Sequence, residues 1–546
     1  MLVNHRAVLG SNWGTNLGAL GVFRIALAVA LLLELHDRTF SEGNVAGFYS
    51  DQGIWPAQFM HERSSAMHIW LCPHSWQNGA FFAPLVAAQF ALAVCLMLGW
   101  HTRLVAILSW FLYNSLTLRN VWLSYIADRY FHILLLYASL LPCGARMSWD
   151  GLVAKQGPRT VNIKGDDTAW AASWQLLGTL YKLQILWIYL DAGYGKWTDP
   201  LGGWSYNASP LPALDTYTRH TSFAVWLYKL IGPFGLRLLT PAVVGVELLA
   251  PMAVILSGCM RVPASLQIFL ISLLPSMHVG ISLTLVNTVS LSIVAMVSWI
   301  PFLPEVLFDG VVDQEQDGID NSSRRSSSSS NPRSTFSISQ LPLPIMLVFI
   351  GLCVHYERHS GLACSQNGAS TLKSVLFNNR WNVFIGAETY VTWEICPAKL
   401  ANGKIVDLWK RGGQVTWHVP SLSYSNASYS AQQDPEEGPG GKFARRSGRW
   451  RSFPYLSVAD SPSDDSIRQS LKSESSCQAT ENYADPIDGA FRDRMWNYLC
   501  KEWNANHSDD EKVLKYSFFM LQADILPDLQ YTDVRKRLIH SHVCGT

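Results

Sequence analysis

The sequence predicts an all-α polytopic membrane bundle of about nine transmembrane helices, followed by a small α+β C-terminal extramembrane module. Three observations predict it. Apolar stretches of bilayer-crossing length recur between Leu17 and Tyr356. Charged residues make up 15% of the 546 residues, against about 25% in an average soluble domain. The chain carries 22 Trp, 20 Tyr and 23 Phe, the residue types that gather at membrane interfaces.

A span needs about 20 mostly apolar residues. The candidates are Leu17–Leu35, Ala80–Trp100, Thr102–Leu118, Arg129–Cys143, Trp174–Tyr194, Pro241–Met260 and Leu341–Tyr356. The first is too long for a signal-peptide core and lacks a small-residue cleavage site, so it reads as a span or signal anchor. Val262–Pro304 contains no Asp, Glu, Lys or Arg. As one helix it would be about 60 Å long, twice the hydrocarbon core, so it should fold back near Asn287.

With a cytoplasmic N-terminus, the inside loops gain an excess of cations, including Arg6, Arg103, Arg146, Lys155 and Arg159. Outside loops then hold Arg38, Arg63, Arg119, Arg219, Lys229 and Arg237. This orientation puts the chain after Tyr356 in the lumen of the endomembrane system, the ER. It also puts the acceptor motifs at Asn207, Asn426 and Asn506 on the glycosylation side, and Asn321 opposite.

The expected organisation is a transmembrane domain at 1–357, with a disordered loop at 306–340, and a C-terminal module at 358–420 and 486–546. Residues 421–485 form a Ser-, Gly- and Pro-rich disordered insert between the module's two parts. Tyr390–Cys396 alternates like a strand, Asn402-Gly403 signals a hairpin, and Lys404–Trp409 can return beside that strand. Asp488–Asn504 has helical spacing, and Lys512–Leu526 reads as a strand. The net charge of +1 carries no nucleic-acid footprint. The 10 Cys show neither CxxC pairs nor metal-ligand spacing, so no metal is expected. A bridge from Cys72 to Cys364 or Cys396 is one pairing left open.

Ionisable residues inside spans are costly and suggest function by default. Lys182, Tyr189 and Lys196 are spaced by seven residues, which places them on one helix face, with Asp191 rotated away. Glu247 lies midway along its span, and His278 sits in the uncharged run after Pro275. Arg24 lies in the first span, where it can snorkel or pair with Glu34. Lys196 is either an interfacial anchor or a general base, because burial disfavours an ammonium. Glu247 and His278 are either a structural pair or part of a site.

In order and spacing, LGVFRIALAVALLLEL with GFYSDQGIWP, DRYFHILLLYASLLPCGARMSWDG, LQILWIYLDAGYGKWTDPLGGW, VELLAPMAVIL, SMHVGISLTL, RWNVFIGAETYVTWEICPAKLANGKIVDLW and NYLCKEWN resemble the HTTM (horizontally transferred transmembrane) domain family, relatives of vitamin K-dependent gamma-carboxylase. The resemblance implies about nine spans and a lumenal C-terminal region. It implies reduced vitamin K or another quinol as cofactor, with oxygen and carbon dioxide consumed in the carboxylation of protein Glu. It also implies that Lys196 is the base. The family's active-site His at the start of the fourth helix is replaced here by Ala127, Asp128 and Arg129, with His132 about a turn later.

Two functional expectations follow. The first is a quinol-dependent, membrane-embedded carboxylase or epoxidase-like enzyme with a protein or small-molecule substrate on the lumenal side. Its catalytic residues would be Lys196, His278 and Glu247, and Lys182, Tyr189 and Arg24 would contact the cofactor. The second is a non-catalytic lipid- or quinone-binding protein, or a transporter. The lipid bilayer is a partner in either case.

Overall fold

The structure is a computed structural model. It describes residues 15–41, 43–63, 66–120, 123, 125–156, 167–199, 202–208, 211–219, 221–260, 262–285, 288–308, 389–419, 450 and 489–545. The expected span Leu341–Tyr356 and nearly all of both expected disordered segments lie outside these residues.

The membrane part is helical. Helix α1 (Leu17–Phe40) begins at Asn16, whose side-chain oxygen accepts from the Gly18 and Ala19 amides at 2.5 and 3.2 Å. That cap occupies two of the four amides a helix start leaves free. The short α2 (Ala57–Arg63) and α3 (Ala66–Leu71) follow, then α4 (Phe82–Leu98), α5 (Thr102–Arg119), α6 (Ile126–Leu140) and α7 (Trp149–Gln156). Next come α8 (Asp167–Trp197), α9 (Ala213–Tyr217), α10 (Ser222–Cys259), α11 (Ala264–Thr284) and α12 (Val289–Val297). The expected fold-back near Asn287 falls between α11 and α12. Helix α10 is kinked where Gly232 (φ 68°) precedes Pro233, a conformation that glycine adopts without a Cβ clash.

Three helices are long and apolar enough to cross a membrane: Leu17–Phe40, Ser222–Gly258 and Ala264–Thr284. Phe82–Leu98 and Val289–Phe302 are apolar but shorter. The expected count of about nine is therefore not shown among the described residues. The helices that fall short differ in composition: α5 and α8 carry Arg103, Arg119, Lys182, Asp191 and Lys196 within their lengths. Helix α1 packs against α4, α6 and α12, α8 against α10, and α10 against α11.

The C-terminal module joins one helix, α13 (Gly489–Asn504), to a five-stranded antiparallel sheet of β1 (Tyr390–Ile395), β2 (Pro397–Leu400), β3 (Ile405–Asp407), β4 (Val513–Asp524) and β5 (Arg535–Val543). One edge of β4 carries β1, from Tyr390↔Asp524 to Ile395↔Phe519, and then β2. The other edge carries β5, a strand the sequence reading did not include. The Asn402-Gly403 turn is present, but its return strand pairs with β2 and not with β1. The tight turn closes between Leu400 and Lys404, so the return strand lies beside the residues that immediately precede it, and these belong to β2.

Cysteine pairing differs from the option raised by the sequence. Cys500 on α13 bonds to Cys544 just beyond β5, while Cys72 and Cys396 are both buried and are not bonded to each other. Cys364 lies outside the described residues. Arg38, Arg119 and Arg219, counted among the outside-loop cations, are all buried, so they do not act as loop charges in the orientation argument.

The module sits on the helical part. Arg119 donates from below to the carbonyls of Tyr49 and Trp55, both at 3.1 Å. Arg494 of α13 donates to the carbonyls of Asp51 and Gly53 from the other side. Leu211 packs among Val391, Trp393 and Leu521, and Arg219 donates to the Gln530 carbonyl at 3.3 Å.

Candidate functional site

Helix α8 presents Lys182, Tyr189 and Lys196 on its buried face, as their spacing predicts, while Asp191 is only partly buried. Gly193 lets α10 approach closely. A Cβ there would lie 2.9 Å from the Cβ of Glu247 and 3.1 Å from Leu248, so any larger residue would push the helices apart. One turn later, the Lys196 ammonium reaches both Glu247 oxygens at 2.8 Å each. The pair is almost completely buried, at 4% exposure for each residue. Lys196 also lies over the Trp204 ring, 5.3 Å from its centroid, and occupies the last turn of α8, where the helix dipole favours a cation.

Beside this pair stands a second group. The Tyr189 hydroxyl lies 2.8 Å from His278 Nε2 on α11 and accepts from Trp299 Nε1 at 2.9 Å. It also bonds to the Tyr130 hydroxyl of α6. An indole N–H can only donate, so it takes one lone pair of the Tyr189 oxygen. One lone pair and one proton remain for His278 and Tyr130. His278 Nδ1 is buried and has no hydrogen-bond partner among the described residues. An orphaned imidazole nitrogen inside a bundle calls for an explanation, since buried polar groups are paired as a rule.

No family model, curated protein or solved structure matches the chain. The site is therefore read from its own chemistry. Lys196 and Glu247 can exchange a proton between them, and Tyr189 and His278 can each donate or accept. Trp204, Trp299 and Phe302 supply flat apolar faces. Among the described residues, no group of three or more His, Cys, Asp or Glu is placed to hold a metal ion.

Two expected residues stand apart from this centre. Lys182 is buried, and its ammonium lies 5.5 Å from the centroid of the Phe302 ring, two turns of α8 before Tyr189. Arg24 is elsewhere: its guanidinium donates to the carbonyls of Leu96 at 2.6 Å and Met97 at 2.8 Å, and to that of Met147. It caps the end of α4, and Glu34 is not its partner.

Sequence reasoning missed a third cluster. Arg38, fully buried, bonds through Nε and Nη2 to Glu34 at 3.1 and 2.9 Å, through Nη1 to the Tyr49 hydroxyl at 3.0 Å, and through Nη2 to Asp128. Asp128 also accepts from the Tyr113 hydroxyl at 2.6 Å and the Tyr125 amide at 3.0 Å. Ser290 donates to Glu34 at 2.9 Å. The available signal was the four-residue spacing of Glu34 and Arg38, which faces them on one helix side. Asp128 on α6 therefore belongs to this cluster.

Proposed function

We propose that the chain is a multi-pass membrane enzyme that binds a quinol and removes a proton from it with the Lys196–Glu247 pair, in the manner of the carboxylase-like family it resembles. The observation that carries this reading is the buried lysine–carboxylate pair beside an imidazole with a free ring nitrogen. Ionised groups are kept at apolar depth chiefly where they act.

As it stands, the Lys196 ammonium is an acid with a carboxylate oxygen 2.8 Å away. Transfer of one proton to Glu247 turns the ion pair into a neutral amine and a carboxylic acid. The amine can then take a proton from a hydroxyl held against it. His278 Nδ1 would orient the ligand oxygen, with Tyr189 and Trp299 fixing the imidazole from the opposite nitrogen. Trp204, over the lysine, would exclude water from it. A bound quinol supplies the hydroxyl proton and the oxidisable ring.

The test is to assay membranes containing the chain with vitamin K hydroquinone and measure epoxide. Epoxide formation that falls at least about a hundredfold in Lys196→Ala is expected for the loss of a general base. Unchanged epoxide in that variant would exclude Lys196 as the base, and no epoxide from the wild-type chain would refute the quinol reading.

One observation favours a non-catalytic, quinone- or lipid-binding protein as the second reading. Both Glu247 oxygens are already engaged by Lys196, as in a structural ion pair. In that case the variant would lose stability and leave any turnover unaltered.

A further inference from the structure

Asn506 opens the acceptor triplet Asn506-His507-Ser508, which lies in the turn between α13 and β4. The local structure presents it. Asn506 and Ser508 are exposed, whereas the preceding helix buries Met495, Trp496, Leu499 and Cys500 against the sheet. His507 is held back from the acceptor: its ring stacks on Trp503 at 3.8 Å, and its Nδ1 lies 2.8 Å from the Trp503 carbonyl. The Asn506 side-chain amide has two N–H groups. One donates to the Glu502 carbonyl at 2.9 Å, the last-turn capping bond of α13. The second has no partner among the described residues and can be replaced without breaking that bond.

A second, independent observation points to an oxidising compartment. Cys500, six residues before Asn506 and on the preceding helix, is disulfide-bonded to Cys544. Disulfides persist in oxidising compartments, and the ER lumen is one of them. It is also where acceptor triplets meet lipid-linked oligosaccharide.

We propose that Asn506 carries an N-linked glycan. In the step that attaches it, a bond forms between Asn506 Nδ2 and C1 of the oligosaccharide as the C1–O bond to its lipid diphosphate breaks. The amide gives up one proton and the lipid diphosphate leaves. The remaining N–H keeps its bond to Glu502, so α13 retains its end. The modification fixes the sidedness of the whole module. The loop after α8 touches this module through Leu211 and Arg219, so the Lys196 end of α8 faces the glycosylated side as well. This conclusion does not depend on what the Lys196 site does.

The experiment uses the full chain purified from a eukaryotic secretory host. Treatment with peptide-N-glycosidase F in heavy-oxygen water converts a glycosylated Asn to a heavy-oxygen Asp, which peptide mass spectrometry locates. Label at residue 506 is expected in the wild-type chain and in Ser508→Thr, and its complete loss in Ser508→Ala. Ser508 is exposed, so Ser508→Ala should fold, and an intact Cys500–Cys544 bridge in the same digest verifies this. Recovery of residue 506 as unmodified Asn in the bridged wild-type chain would overturn the proposal.

Discussion

Two of the buried ion networks among the described residues, around Arg38 and around Lys196, are built differently. Around Arg38, a planar guanidinium meets two carboxylates and a phenol, and the carboxylates also receive bonds from Tyr113, Ser290 and the Tyr125 amide. Around Lys196, a compact ammonium meets one carboxylate under an indole, next to an imidazole nitrogen with no partner. Arginine does not release its proton in proteins, whereas a buried lysine can. The first network ties α1 to α5, α6 and α12. The second leaves the buried His278 Nδ1 without a partner among the described residues.

Breaking the Arg38 network should have the largest effect. Arg38→Ala leaves Glu34 and Asp128 as buried carboxylates without their cation, at a cost of about 3–5 kcal/mol. Arg38→Lys should recover little of this, because one ammonium cannot reproduce the fork. Thermal unfolding in detergent measures both, and a shift within error for Arg38→Ala would remove the network's structural role. Lys196→Ala should destabilise comparably, since Glu247 is then unpaired. The double replacement Lys196→Met with Glu247→Leu removes both charges and should return the melting temperature close to wild type. Turnover should stay lost by about a hundredfold or more. Active protein carrying the double replacement would dissolve the contrast between the two networks.

A lone buried carboxylate sharpens the comparison. Asp407, in the extramembrane module, accepts from the Cys396 and Trp409 amides at 2.9 Å each through Oδ1, while Oδ2 is buried and unbonded. Burial pushes its carboxyl from the usual 3.8 up to about 6, against the lowering effect of those amides and Lys410. Because the folded form holds its proton more tightly, the module gains stability as pH falls from above 6 toward 3.8 and loses it as pH rises through 6. Two units correspond to roughly 3 kcal/mol at most. Asp407→Asn keeps the oxygen that accepts both amides and removes the charge. It should raise the unfolding free energy at pH about 7.5 by roughly 1–2 kcal/mol and do little below about pH 3.8. An equal effect at both pH values would show that the carboxyl is not titrating in this window.

Much of the fold was legible in residues whose reasons are local. The seven-residue spacing on α8 predicted that Lys182, Tyr189 and Lys196 would share a buried face, and they do. The charge-free run from Val262 predicted a fold-back, and α11 and α12 deliver it. What the sequence could not show depends on contacts between distant segments. Arg38 and Arg119 sit next to helix ends and read as loop cations, because their acceptors come from residues 49–55 and 128. Strand β5 alternates weakly and is basic, so only its pairing with β4 reveals it. The Cys500–Cys544 bridge was one of many possible pairings. At the site itself, Glu247 and His278 were visible as costly residues, but the role of Trp299 was not. An indole at the end of an apolar helix looks like an interfacial anchor until its N–H is found on Tyr189.

Tyr189 is where the smallest expected effect carries the most information. Its hydroxyl is the shared partner of Trp299, His278 and Tyr130, yet it bears no formal charge. Tyr189→Phe keeps the ring and its packing, and leaves three polar groups one bond short. Neutral bonds of this kind contribute about 1 kcal/mol each, and an unsatisfied buried partner costs about 1–3 kcal/mol, so a loss near the lower end is expected where the partners can rearrange. Trp299→Phe, which removes a single donor, should cost about 1 kcal/mol. Because Tyr189 sets the partner of His278 Nε2, its loss should also free the imidazole to change tautomer. Nitrogen-15 spectra of labelled histidine would register that change in Tyr189→Phe even where the melting temperature barely moves. If Tyr189→Phe instead destabilises the chain as severely as Arg38→Ala, the hydroxyl is a structural keystone. The Lys196 side of the bundle would then be as closed as the Arg38 side, with no capacity left for a ligand.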